Sequence, residues 1–138
     1  MPDPEHHKRQ VRRFYDDIWN RVDLMAIPDV LAPDVTFRGS LGPELTGPEE
    51  FAGYVREVTT ALDDYRCEID SLVAEADRVA ARMTFAGVHR GRLLGVPATG
   101  RWVSWTGAAF FTFSDGRIAD LWVLGDLDSL RRQLTQTR

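Results

Sequence analysis

The chain is poor in the residues that most often carry enzyme chemistry. A single cysteine, Cys67, excludes an intrachain disulfide and any multi-cysteine metal site. Of the 17 basic residues one is Lys8 and all others are arginine. Lys8 lies in a polar N-terminal segment read as frayed, so a Schiff-base lysine in the core is excluded, and with it imine-forming aldolases and pyridoxal chemistry. The three histidines are His6, His7 and His89, which leaves one beyond the N-terminal pair. No apolar run approaches the roughly 18 residues of a membrane-spanning helix. Basic residues form no block and the net charge is −4, so no positive face is available to neutralise phosphates, and nucleic acid is not an expected partner. The N-terminal residues 1–8 are polar and lack the apolar stretch of a signal peptide; a cytoplasmic location is expected.

What is present reads as one domain over residues 1–138, with 1–6 as a disordered lead-in. From about Glu5 to Val22 the apolar residues Val11, Phe14, Tyr15, Ile18, Trp19 and Val22 recur at helical spacing. Asp23 is positioned to cap a second, short helix broken near Pro28 or Pro33. Val35 to Arg38 reads as a short strand and Gly39 to Gly47 as a loop. Pro48, Glu49 and Glu50 open a further helix carrying Phe51, Tyr54, Val55, Val58 and Leu62 on one stripe. From Tyr65 the period becomes two, with Tyr65, Cys67 and Ile69 alternating with charges, so Cys67 is expected to pack rather than react. Three strand-like runs follow, Asp77–His89, Arg101–Phe113 and Arg117–Asp126, the last two joined by the turn Ser114-Asp115-Gly116. Asp126 or Asp128 would cap a final helix with Leu127, Leu130 and Leu134 on one face. Helices followed by mostly antiparallel strands make an α+β domain, a curved sheet packed by three N-terminal helices into a cone with an interior suited to a small apolar ligand.

The run Gly87-Val-His89-x-Gly91-x-Leu-x-Gly95-Val-Pro97-Ala-Thr99-Gly100, then Asp115-Gly116-Arg-Ile118 and Leu121-Trp122-x-x-x-Asp126, resembles the SnoaL-like polyketide cyclase group. That group is also called ester cyclase and sits within the nuclear-transport-factor-2-like superfamily. The resemblance covers about Val11 to Leu134. It implies a cone-shaped α+β barrel, a homo-oligomer such as a dimer, and neither metal nor organic cofactor. It implies catalysis on aromatic polyketides, by ring closure or by assistance of a hydroxylation. In the cyclases a carboxylate on the last strand acts as acid and base, and its position falls on Val123; a histidine of the preceding strand falls on Ala109. A valine takes no proton, so that mechanism does not carry over as it stands.

With no bulges, Ala119, Leu121 and Val123 share the face that the family turns to the cavity, as do Val103, Trp105, Gly107, Ala109, Phe111 and Phe113. The resemblance to epoxide hydrolases of the same superfamily places Arg82 inward with Thr84 beside it. Arg82 would then steady an oxyanion, or pair with an acid and hold the sheet. His89 is either a proton carrier or a structural residue, since its parity is opposite to that of Arg82 unless Gly87 hosts a bulge. Asp126 is either a helix cap or a carboxylate at the cavity mouth. Asp120 reads as an acid of the surface or of an interface. Tyr15 and Trp19 read as core or as pocket wall, and Trp105 as a platform for a planar ligand. The substrate-contacting set is thus Tyr15, Trp19, Thr84, Trp105, Ala109, Leu121 and Val123. The expected partner is a small hydrophobic, polycyclic aromatic ligand, and the exposed-face aromatics Trp102, Phe110 and Trp122 suggest a dimer. Two functions stay open: a cofactor-free tailoring enzyme, or a binding protein without chemistry. A purely structural oligomerisation domain ranks behind both.

Overall fold

In the computed structural model, which describes residues 3–136, helix α1 (Pro4–Arg13) starts with Asp3 accepting the His6 backbone N–H and Pro4 in the first turn, the position where a missing N–H costs nothing. Residues 3–6 are therefore ordered, while the rest of the expected lead-in, residues 1–2, lies outside the described residues. Lys8 lies within this helix, not in a frayed segment. The helix continues as a wider π-turn over Phe14–Trp19. Its end is tied to the sheet by Asn20, which donates to the Cys67 carbonyl and accepts from the Cys67 N–H at 2.9 and 2.7 Å. Asp23 caps the next short turn (Leu24–Ala26), and α2 (Ile27–Val30) follows.

Strand β1 (Leu31–Arg38) starts earlier than expected and includes Pro33. The segment read as a loop contains a three-residue edge strand, β2 (Glu44–Thr46), too short to give a periodic signal. Helix α3 (Gly47–Ala61) packs Phe51, Tyr54, Val55 and Val58 inward. Strands β3 (Leu62–Glu75), β4 (Arg78–His89), β5 (Trp102–Ser114) and β6 (Arg117–Gly125) form the rest of one six-stranded sheet in the order β2-β1-β6-β5-β4-β3. All pairs are antiparallel except β1 with β6. Helix α4 (Leu127–Thr135) closes one end, capped by Asp126 through the Ser129 N–H.

Bulges bend this sheet. Pairing shifts register within β3 after Asp63 and again after Ile69, and between β5 and β6 beside Thr112 and Phe113; an extra residue on one strand raises the local twist. Asp64 takes φ +50° at the first of these. The β5–β6 bulge changes which residues of β6 face in: Ile118, Leu121 and Val123 are buried, whereas Ala119, expected on that face, is only half-buried. The turn joining β5 to β6 has Asp115 and Gly116 both at positive φ, the conformation that matches strand twist in a two-residue hairpin. The helices cover the concave side, and one cluster of buried apolar side chains from helices and strands fills the cone.

Candidate functional site

The strand period decides what the cone's interior contains. On β4 the buried residues of one parity are Val79, Ala81, Met83, Phe85, Gly87 and His89, joined near the strand's end by Ala86, and the alternate residues Arg82 and Thr84 lie on the convex side. The expected inward guanidinium is thus absent from the interior: Arg82 is exposed, and Thr84 is partly exposed, its hydroxyl donating to Asp70 at 2.6 Å. Desolvating a guanidinium among Met83, Phe85 and Phe111 without a carboxylate would be costly, and outward placement avoids it.

The π-turn supplies Phe14, Tyr15 and Trp19 to a small central cavity. Its wall is completed by Phe37 from β1, Ser40 from the following loop, Tyr54 from α3, Tyr65 and Cys67 from β3, Phe85 from β4 and Val123 from β6. Trp105 stands just behind, stacked at 26° on Tyr65 and tilted against Phe85, with ring centroids 6.1 and 5.5 Å away. Ala109 and Leu121 are buried on the same face but do not reach the cavity wall. The space open to the centre of a water molecule is about 10 Å³, room for roughly one water. A ligand of several rings enters only if side chains move apart.

The segment Gly39–Pro43 closes one side. A Cβ on Gly39 would lie 2.5 Å from the Tyr54 hydroxyl oxygen, and one on Gly125 would lie 3.0 Å from the Ser40 carbonyl and 3.1 Å from Trp105 Nε1. Glycine at both positions lets this segment and the indole ring approach closely.

Every ionisable group on the wall is held neutral. Burial pushes the phenols of Tyr15, Tyr54 and Tyr65 far above their usual range, and pushes up the Cys67 thiol; a low dielectric penalises the charged form. The Tyr65 hydroxyl neighbours the Cys67 thiol, and the Tyr54 hydroxyl neighbours the Ser40–Leu41 segment. Two donors are left over. The Tyr15 hydroxyl and the Trp105 indole N–H are buried and have no partner, each at a cost of about 1–3 kcal/mol. Val123, where the family resemblance puts an acid, is 3 % exposed and beside these phenols. The cavity therefore offers hydrogen-bond donors and aromatic faces, and no lining side chain that accepts a proton at neutral pH.

The candidate proton carriers His89 and Asp126, and the candidate oxyanion partner Arg82, lie elsewhere. His89 is fully buried on the inward parity of β4 but not on the cavity wall. Its Nδ1 accepts the Thr99 N–H at 3.2 Å and lies 3.0 Å from the Thr99 hydroxyl. With its backbone bonds to Gly100 and Arg101, it clasps the two ends of the 90–100 segment. Its Nε2 has no partner. Asp126 is exposed and occupied as the α4 cap. Arg82 is outside. Sequence reasoning thus brought Tyr15, Trp19 and Val123 to one place, with Trp105 immediately behind. It missed Phe37, Tyr54, Tyr65 and Phe85 as wall residues, although Phe85 shares the parity of Met83 and Tyr65 that of Cys67.

Among the described residues, no group of three His, Cys, Asp or Glu side chains is placed to hold a metal ion, and no helix is long and apolar enough to cross a membrane. The chain is 35% identical over 80 residues to aklanonic acid methyl ester cyclase DnrD of Streptomyces peucetius, a match covering 56% of this chain and 54% of that protein; the chain spans about half the length of the curated relatives it matches. Among solved structures, TsrD from Streptomyces laurentii superposes with a TM-score of 0.88 at 29% identity, covering 99% of this chain and 100% of that one. AclR from Streptomyces galilaeus, provisionally named a hydroxylase, superposes with a TM-score of 0.82 at 28% identity, covering 98% and 84%. A sequence model of the SnoaL-like polyketide cyclase matches residues 9–134, and the chain belongs to that family.

Proposed function

We propose that this protein takes a hydrophobic, polycyclic aromatic substrate of the polyketide type into the cone and, without a resident cofactor and without a protein base, promotes its ring closure or assists its hydroxylation by dioxygen, an external two-electron reductant carrying the second oxygen atom away as water. The observation that carries this reading is the wall itself: phenyl, phenol and indole faces surround a centre in which every ionisable group is neutral. Aromatic walls stack on planar rings, and neutral donors stabilise negative charge developing on a substrate oxygen. The proton to be moved is then carried by the substrate's own acidic positions. The relatives named as a cyclase and as a hydroxylase support the reaction classes.

Val123 favours one alternative, a protein that binds such a compound and performs no chemistry. Incubation with a tricyclic or tetracyclic phenolic polyketide methyl ester separates the two. Ring closure changes retention at constant mass, and hydroxylation, tested in air with an added reductant, adds one oxygen. Product formed faster than without protein is the expected result; tight binding with no product supports the alternative, and absence of binding sinks both.

The convex face carries Trp102, Phe110 and Trp122 at 59, 51 and 39 % exposure, beside Leu124. We read it as the contact surface of a homodimer. A single buried, free cysteine suits a reducing compartment, so the cytoplasm is the proposed site of action.

A further inference from the structure

Within that reading of the cone, we infer that the orphaned donors of Tyr15, on the cavity wall, and Trp105, just behind it, recognise neutral carbonyl-type oxygen on the ligand once the wall opens to admit it, and that this donor pair sets ligand preference. Three observations converge. Both polar atoms are fully buried and lack a partner. Their side chains are oriented by neighbouring rings: Tyr15 lies edge-on to Phe14 and Phe111, and Trp105 is stacked on Tyr65 and tilted against Phe85. In this packing neither donor meets a side-chain or backbone acceptor. Finally, no charged side chain lines the cavity.

These features define the ligand by chemistry. Tyr15 is held neutral, so it offers a proton rather than a lone pair of a phenolate. An indole N–H is a donor only. Neutral donors without a cation match the oxygen of a ketone, quinone or ester carbonyl. A carboxylate would be buried without a counter-charge and is disfavoured. A hydrocarbon of the same shape would occupy the opened cavity but leave both donors orphaned, the situation in which a polar site discriminates most strongly. Displacing the roughly one water the cavity can hold is favourable only for a group that restores the same bonds. Trp105 is thereby assigned a directional role, since its N–H selects the ligand beyond any stacking by its ring.

The test uses two planar tricyclic probes of nearly equal shape, fluorenone, which has one carbonyl, and fluorene, which has none. Affinities are measured by equilibrium dialysis for the wild-type chain and for Tyr15→Phe and Trp105→Phe. Wild type is expected to prefer fluorenone by about tenfold or more, and each variant to lose several-fold of that preference while keeping its affinity for fluorene within about twofold. The ratio within one variant cancels the packing lost with the indole. A wild-type ratio near one, or a ratio unchanged in both variants, overturns the donor pair while leaving the cavity reading intact. Failure of both probes to bind overturns the cavity reading itself. If neither variant folds, the carbonyl stretch of fluorenone bound to wild type decides. A shift to lower frequency than in hydrocarbon solvent is the expected result, and an unshifted band refutes the pair.

Discussion

The two faces of β4, β5 and β6 are made from alternate residues of the same segments, and they carry opposite chemistry. Inward stand Ala81, Met83, Phe85, Trp105, Ala109, Leu121 and Val123, all buried, with hydroxyls held neutral around them. Outward stand Arg82, Thr84, Asp120 and the exposed aromatics Phe110 and Trp122, with Arg38 laid over the Trp122 ring and donating to the Val123 carbonyl at 2.6 Å. The formal charge of these strands is thus confined to one side of a single sheet. A cone that has expelled charge can stabilise a polarised oxygen only through neutral donors, whereas its convex side remains free for ionic and stacking contacts.

The sharpest way to break this comparison is to move one charge across the sheet. Met83 is fully buried and pairs with Gly107 in the centre of the sheet, and Arg82 is its exposed neighbour. Met83→Arg is expected to cost more than about 4 kcal/mol, the range of an unpaired buried charge, and Arg82→Ala to stay within about 0.5 kcal/mol. Urea unfolding of the two variants measures both. Similar costs would mean that the interior is hydrated and that Arg82 has a structural role.

Arg82 also shows where the sequence could and could not be read. Alternation alone groups Val79, Ala81, Met83 and Phe85 on one face and puts Arg82 on the other. The analogy with distant epoxide hydrolases pointed the opposite way, and the local period prevailed because a one-residue shift exchanges every side chain between faces. Helical stripes, the Asp115-Gly116 hairpin and the Asp126 cap were legible because each depends on a few adjacent residues. The inward turn of Ile118 was not, since a bulge in the ladder has no reliable mark in one strand's sequence. Nor was the near closure of the cavity, which depends on Gly39 and Gly125 meeting Tyr54, Ser40 and Trp105 across the fold. The orphaned donors of Tyr15 and Trp105 follow from that packing, so the sequence pointed to these two aromatics without revealing their hydrogen-bonding state.

A milder intrusion sharpens the comparison. Val123→Asp places a carboxyl on the inner face at the position where the family resemblance expects one. Burial would push its pKa above the usual value of about 3.9, because the surrounding phenols are themselves desolvated and no lining cation offsets the charge. The sign follows from linkage: below pH ~4 both folded and unfolded chains hold the proton and no charge penalty applies. As pH rises the unfolded chain releases its proton first, and the penalty grows by about 1.4 kcal/mol for each unit between the two pKa values. The variant is expected to be about 2 kcal/mol less stable than wild type at pH 7 and to recover much of that deficit near pH 4. A deficit independent of pH over this interval would place residue 123 in contact with water.

The smallest effect on the fold is expected where the convex face is altered, and there the readout is mass. If Trp102, Phe110 and Trp122 meet their symmetry mates, a stable pair must bury upwards of about 1,000 Å², and lysines at its centre would face lysines of the partner. The double variant Phe110→Lys/Trp122→Lys is expected to shift sedimentation from two chains to one. Its unfolding free energy, compared with wild type at concentrations where wild type too is monomeric, should change by no more than about 0.5 kcal/mol, since both side chains already touch solvent. Wild-type stability should in addition rise with protein concentration, as any equilibrium that binds only the folded chain requires, and the variant's should not. A dimer that survives both lysines would move the interface off this face. A variant that unfolds outright would show that these aromatics support the sheet from outside, and the distinction between a packed inner face and an interactive outer one would then fail at Phe110 and Trp122.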